Sequence, residues 1–295
     1  MKLIPRLRLK FSNPEEYKNF KHLKRLVNLP HPAFDIIKED FYSFRHSGNA
    51  GDIMYALPAM IALAKGKPIH FYLQINRPGI YGKNPHPLGN VMLTQKMVDM
   101  LKPLLMNQGG IEKVEVYNGE PIDYDLDIFR EFPIWLSRGN ISRWYFLVFP
   151  ITYPLHLPWL KVTPDSSVKD HIIIARSQRY RAPGIDYSFL SRYKKILFVG
   201  VQVEYEEMRQ MIPGIEYRQV DNFLQLAQLI MGCKLFIGNQ SFPFSIAEGL
   251  KAKRLMELYF QAPNVSIAGE GGYDFCFQPQ FEFLVKKLTS ANGST

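Results

Sequence analysis

Cysteine is nearly absent: Cys233 and Cys276 are the only two in 295 residues. Two isolated thiols give neither a disulfide framework nor a metal-ligand spacing, and they read as small side chains of a reducing compartment. Long apolar runs are missing too, since none reaches the roughly 18 residues expected of a membrane-spanning helix. Met1 to Lys10 interleaves Lys2, Arg6, Arg8 and Lys10 with its apolar residues, which breaks the uninterrupted stretch of a signal peptide. A cytoplasmic location is therefore expected. There is no internal repeat, zinc-finger spacing or RNA-binding aromatic signature. Acidic residues are scarce at one end. Residues 1–28 carry eight basic side chains against Glu15 and Glu16, so most of the net charge of +9 sits there. Charge concentrated in this way argues against nucleic acid as a partner. A basic leader of this kind either touches an anionic membrane surface or an acidic partner, or simply forms a solvated helix face.

What the chain does have is apolar content, 46% of residues, enough for one large or two ordinary domains. Two glycine-containing junctions stand out. Phe44-Arg45-His46-Ser47-Gly48-Asn49-Ala50-Gly51-Asp52-Ile53 and Phe236-Ile237-Gly238-Asn239-Gln240-Ser241-Phe242 each read as a strand, a tight turn and the start of a helix. Such a junction offers free backbone N–H groups and favours an anion. Ile53, Ala56, Leu57, Met60, Ile61 and Ala64 keep a helical period after the first. Val114–Tyr117 and Leu126–Ile128 read as short strands. Residues 161–170 are polar and without period, the best linker in the chain. Beyond it, His171–Ala175, Ile196–Gly200 and Leu235–Ile237 are apolar strands alternating with helical segments, the rhythm of a parallel, doubly wound sheet. The expected architecture is α/β, with two Rossmann-like lobes of parallel sheet facing a cleft, one over 1–165 and one over 166–295. The aromatic segment 132–160 either packs a core or forms an acceptor surface.

At these junctions the chain resembles the GT-B glycosyltransferases, most closely the lipopolysaccharide heptosyltransferase group. Gly48-Asn49-Ala50-Gly51-Asp52-Ile53 with Ala56-Leu57-Pro58-Ala59 is similar to that group's first turn and helix. Phe236-Ile237-Gly238-Asn239-Gln240-Ser241 with Ala247-Glu248-Gly249-Leu250 is similar to its donor turn and helix, apart from Asn239, where the group usually carries aspartate. The resemblance implies inverting, metal-independent transfer of a sugar from a nucleotide-diphosphate donor to a glycan or lipid-linked envelope acceptor. It implies no cofactor besides the nucleotide-sugar substrate. A GT-B protein that binds nucleotide or glycan without catalysis is the alternative.

The residues can be read against that chemistry. The resemblance makes Asp52 the base for the acceptor hydroxyl; a first-turn carboxylate can equally be a helix cap. Backbone N–H groups around Gln240, Ser241 and Phe242 can hold the diphosphate, as can Arg176 or Arg179 leaving a parallel strand's C-terminal end. Gln202 is placed for the base edge, and Glu204, Glu206 and Glu248 are carboxylates for ribose hydroxyls. On the acceptor side stand His46, Asn49, Gly51 and, in the Pro/Gly-rich loop, His86. Asp123, Asp125 and Asp127 alternate with a metal-like spacing but read as turn chemistry, so no metal site is expected. Closure of the lobes is expected to exclude water.

Overall fold

A computed structural model describes residues 3–30, 32, 34–79 and 89–290; His86 lies outside the described residues. Helices α1 (Leu3–Ser12) and α2 (Pro14–Asn28) precede the first sheet. Asn13 separates them, its Oδ1 accepting from the Glu16 N–H while its amide donates to the Glu16 carboxylate, both at 3.1 Å. Asn13 is thus the N-cap of α2, with the Glu16 side chain as its partner.

The N-terminal sheet contains β1 (Tyr42–His46), β2 (Ile69–Leu73), β3 (Ile111–Val116) and β4 (Tyr124–Asp125), all parallel, in the order β3-β2-β1-β4. Around it lie α3 (Ala50–Ala64), α4 (Gln95–Met106) and α5 (Ile141–Val148). The strand expected over 126–128 is a 3-10 turn instead, Leu126–Arg130, started by Asp125 accepting from the Asp127 N–H. Leu126 and Phe129 enter the core from that turn, and their spacing of three suits its tighter pitch.

The C-terminal sheet holds β5 (Ile172–Ala175), β6 (Ile196–Phe198), β7 (Glu216–Tyr217), β8 (Leu235–Asn239), β9 (Arg254–Glu257) and β10 (Gly272–Phe275), again all parallel, in the order β10-β9-β8-β5-β6-β7. Helices α6 (Gln202–Met211), α7 (Phe223–Gly232), α8 (Phe242–Leu250) and α9 (Gln278–Thr289) complete the lobe. Both sheet faces are covered. Ile172 and Ile174 join one apolar cluster and Ile173 the other, which is why that strand has no polar face.

The lobes meet through α3 and α8, both buried along most of their length. Ile53, Met54 and Leu57 share one core with Phe236, Phe244 and Ala247. Pro58 sits inside α3 and cannot donate to the Met54 carbonyl one turn back. That carbonyl instead accepts from the Trp159 indole N–H at 3.1 Å. The Trp159 and Leu160 backbones donate in turn to Gly249 of α8. A Cβ at Gly249 would come within 2.7 Å of Leu160, so only glycine permits this approach.

Candidate active site

Both sheets reverse their strand order beside their first strand. In the N-terminal lobe the switch lies between β1 and β4, and in the C-terminal lobe between β5 and β8. Open parallel sheets bind ligands outside the carboxyl ends of the strands at such points. Here the two switch points face each other, for a Cβ built on Gly51, in the first turn of α3, would lie 3.8 Å from the Phe242 Cα that begins α8. The turns at Gly48–Asp52 and Gln240–Phe242 are therefore neighbours.

On the N-terminal side, Asp52 Oδ2 accepts from Arg130 Nη2 at 3.3 Å, and its side chain is 23% exposed. It also accepts from the Asn49 backbone N–H, so it reaches back to cap its own helix. Arg130 comes from the 3-10 turn after β4 and pairs with Asp127 through its other terminal nitrogen. Arg77, from the loop after β2, donates to Ser47 Oγ at 2.9 Å and lies 3.4 Å from Asp127 Oδ2. Burial pushes the Asp52 carboxyl above the ordinary range and Asp127 adds to this; Arg130, the Asn49 N–H and Arg179 pull against it. An aspartate held in this way is a stronger base than a solvated one.

His46 lies beneath the turn, fully buried. Its Nδ1 accepts from the Gly48 N–H at 2.8 Å, which leaves the proton on Nε2. That group faces Tyr145 Oη of α5 at 2.8 Å, and Tyr145 donates to the Asp52 carbonyl at 3.3 Å. Burial, with Arg130 and Arg77 nearby, lowers the His46 pKa to about 4 in spite of Asp127. His46 is a neutral strut under the helix that carries Asp52. Gly48 cannot be replaced: a Cβ there would stand 2.5 Å from the His46 ring, 2.6 Å from Arg130 Nη2 and 2.8 Å from Asp52 Oδ2.

On the C-terminal side, Asn239 at the end of β8 fastens the loop after β5. Its Oδ1 accepts from the Ser177 N–H at 3.1 Å, and its amide nitrogen donates to the Ser177 and Arg179 carbonyls. A carboxylate could not make the second pair of bonds. Glu204 accepts from the Gln178 N–H at 3.3 Å, and Tyr180 holds a left-handed φ of 56°. The loop thus sets Arg179 where its charge acts on Asp52 across the junction. Pro243 lacks an N–H, and the Phe244 and Ser245 N–H groups return to the Ser241 carbonyl. Phe242, the first helical residue, has no intrahelical acceptor for its own N–H. The Ser241 hydroxyl caps nothing.

Several side chains selected from the sequence have other partners. Arg176 forms a buried two-point pair with Glu257, 2.7 and 2.8 Å, beneath Tyr187. The Gln240 amide is spent on Ala262, Asn264 and the Tyr259 N–H, so that turn can offer a ligand its backbone but not this side chain. Glu248 is enclosed by Lys251, Arg254 and the Ala268 N–H. Gln202 and Glu206 are exposed and bonded to each other on α6, whereas Glu204 is buried under the 176–181 loop. Asp123 binds Ser43 and Lys38, Asp125 pairs with Arg45, and Asp127 with Arg130. Among the described residues no three metal-ligating side chains converge.

Two parallel sheets with opposed switch points, meeting through the helices that follow their first and fourth strands, are the GT-B glycosyltransferase fold. The solved structures it resembles include heptosyltransferases. E. coli heptosyltransferase WaaC with ADP-2-deoxy-2-fluoro heptose superposes with a TM-score of 0.55 at 9% identity, over 83% of this chain and 99% of that one. The glycosyl transferase family 9 protein of Veillonella parvula DSM 2008 gives 0.53 at 12% identity, over 86% and 95%. Dodecameric TibC of enterotoxigenic E. coli H10407 gives 0.51 at 11% identity, over 81% of this chain and 63% of that one. No family model and no curated protein sequence matches the chain.

Proposed function

We propose that the protein is a glycosyltransferase, inverting and metal-independent, that moves a sugar from a nucleotide-diphosphate donor to a glycan or lipid-linked acceptor, at the cytoplasmic face of the cell envelope. The supporting observation is the meeting of two switch points with Asp52 on one side and Arg179 with the α8 N-terminus on the other. The acceptor oxygen gives its proton to the Asp52 carboxylate and attacks the anomeric carbon. The bond from that carbon to the phosphate oxygen breaks, and the departing diphosphate takes the Phe242 N–H, the helix terminus and Arg179. The geometry of Arg130 suits it to hold the Asp52 carboxylate towards the acceptor.

The test has two parts. Binding of ADP, UDP and GDP and their sugar conjugates, followed by calorimetry, identifies the donor. Asp52→Asn is then expected to keep donor affinity while transfer falls by about 10²–10⁴-fold, the usual worth of a general base. The helix-capping role of Asp52 favours the alternative of a non-catalytic binder. Nucleotide binding without transfer or donor hydrolysis in the unmodified chain would decide for it.

A further inference from the structure

A concavity lies on the face of α5 opposite Tyr145, away from Asp52. It has a volume of about 1160 Å³ and is walled by parts of the 134–156 segment and by Pro263, Ser266 and Ala268. Aromatic and aliphatic side chains dominate it, among them Trp135, Phe146, Leu147 and Tyr153, and none of its described lining residues is acidic. Arg138 stacks on Trp135, 4.7 Å above the ring, and Arg143 is exposed beside it. Neither makes an ion pair among the described residues, although most other arginines of the two lobes do.

The α1–α2 hairpin adjoins this groove, the His22 ring meeting Trp135 edge-on at 5.7 Å. Over residues 3–28 it carries Arg6, Arg8, Lys10, Lys18, Lys21, Lys24 and Arg25 against Glu15 and Glu16. Five of its apolar side chains are turned outward: Ile4, Leu7 and Phe11 fall on one face of α1, and Leu23 and Val27 on one face of α2, with Phe11 79% and Val27 82% exposed, while Leu9, Tyr17 and Phe20 are half-buried. Exposed apolar residues amid lysine and arginine fit the headgroup boundary of a bilayer. Cations without carboxylate partners fit its anionic lipids.

We propose that the hairpin and the groove form one docking surface for an anionic phospholipid membrane. The hairpin lies among the headgroups, Arg138 and Arg143 hold lipid phosphates, and the aromatic wall takes the upper part of an acyl chain. The surface does not depend on sugar transfer, so the failure of either reading leaves the other standing. Sedimentation of the full chain with vesicles tests it. Binding is expected with vesicles of phosphatidylcholine plus phosphatidylglycerol, not with phosphatidylcholine alone, and inorganic phosphate at the same charge concentration should not compete. Each basic side chain at the surface contributes about 1 kcal/mol, so Arg138→Glu with Arg143→Glu should weaken binding by at least about tenfold. Phe11→Ser should weaken it as well. All three positions are exposed, and an unchanged circular dichroism melt checks folding. Equal binding to both vesicle types, or wild-type affinity in the variants, overturns the proposal. So does a dimer in sedimentation velocity that the same substitutions dissolve, for the groove would then be covered by a second copy.

Discussion

Acid should weaken this fold in part through His46, beside the carboxylates such as Asp127 whose pKa is held down. Its ring is neutral, makes two hydrogen bonds and has no exposure, and its pKa is depressed from 6.5 to about 4. The unfolded chain therefore takes up this proton first. Stability attributable to His46 is intact above pH 6.5 and is lost as pH falls through that value towards 4. Linkage puts the loss at about 2 kcal/mol by pH 5 and about 3 kcal/mol by pH 4. Asp52 acts with the opposite sign, because its raised carboxyl pKa binds a proton in the folded state earlier than in the unfolded one. The comparison must therefore be between variants and not between pH values alone. His46→Phe fills the space without titrating, but leaves the Gly48 N–H unpaired, at about 1–3 kcal/mol, and the Tyr145 hydroxyl with only the Asp52 carbonyl. It should be less stable than wild type at pH 7.5, yet lose less on moving to pH 5. Urea unfolding followed by the fluorescence of Trp135, Trp144 and Trp159 reads both differences. Parallel losses in the two proteins would refute the assignment of a buried neutral imidazole.

Gly48→Ala should cost the fold as well as the site, because the added methyl overlaps the buried His46 ring, Arg130 and Asp52; a lowered melt together with loss of transfer is expected, and a normal melt with normal turnover would contradict the packing. The arginines that the sequence could not separate should divide cleanly. Arg179→Ala is expected to weaken nucleotide-diphosphate binding by about 10–100-fold, as a charge-assisted bond is worth 1.5–3 kcal/mol, with little change in melting. Arg176→Ala strands Glu257 in the core and should cost about 3–5 kcal/mol of stability; a calorimetric scan that finds the reverse pattern would exchange their roles. A donor diphosphate beside Arg179 offsets one of the charges that depress Asp52, so the acid limb of kcat should lie at higher pH than that of kcat/KM, and coincident limbs would argue against that coupling.

Fold class was legible because it rests on local pattern: apolar strands without a polar face, helices of regular period, and two turns of small residues. The partners of individual side chains were much less so. Arg176 and Arg179 stand three residues apart after one strand, and what separates them is Glu257, which only β9 of the finished sheet brings beneath Arg176. Glu248 looked like an available carboxylate until Arg254 and Lys251 closed on it across the end of α8. Arg130, Arg77 and Tyr145 carry little local signal, because their contacts to Ser47, His46 and Asp52 join β1 and α3 to distant segments. One clue was local: Asp127 and Arg130 are spaced for a single turn, in a stretch that read as a strand. The three alternating aspartates were read as turn chemistry, and Asp125 does start the 3-10 turn. Asn239 departs from the usual aspartate for a reason visible only in the fold, since its amide holds two carbonyls of the 176–181 loop.

The expectation of lobes that close to exclude water meets a physical obstacle. Domains move readily when the interface between them is small and polar, whereas here α3 and α8 bury apolar residues in a shared core. Trp159 is bonded to the Met54 carbonyl that Pro58 releases, and its own backbone to Gly249. A further clasp runs from the Gln240 side chain to Asn264, and from Asn264 to the Leu136 carbonyl and the Ile141 N–H. Separating the lobes by a hinge would break all of these and wet the core between the helices. The α3–α8 contact is therefore the fixed frame of the site, and adjustment on binding falls to shorter elements. The stretch between Arg176 and Arg181 is the element placed for it: the Arg176–Glu257 and Arg181–Glu207 pairs fix its ends, Asn239 and Glu204 hold it between them, and it carries Arg179 and keeps Tyr180 in a backbone conformation that a side chain of that size adopts only under constraint.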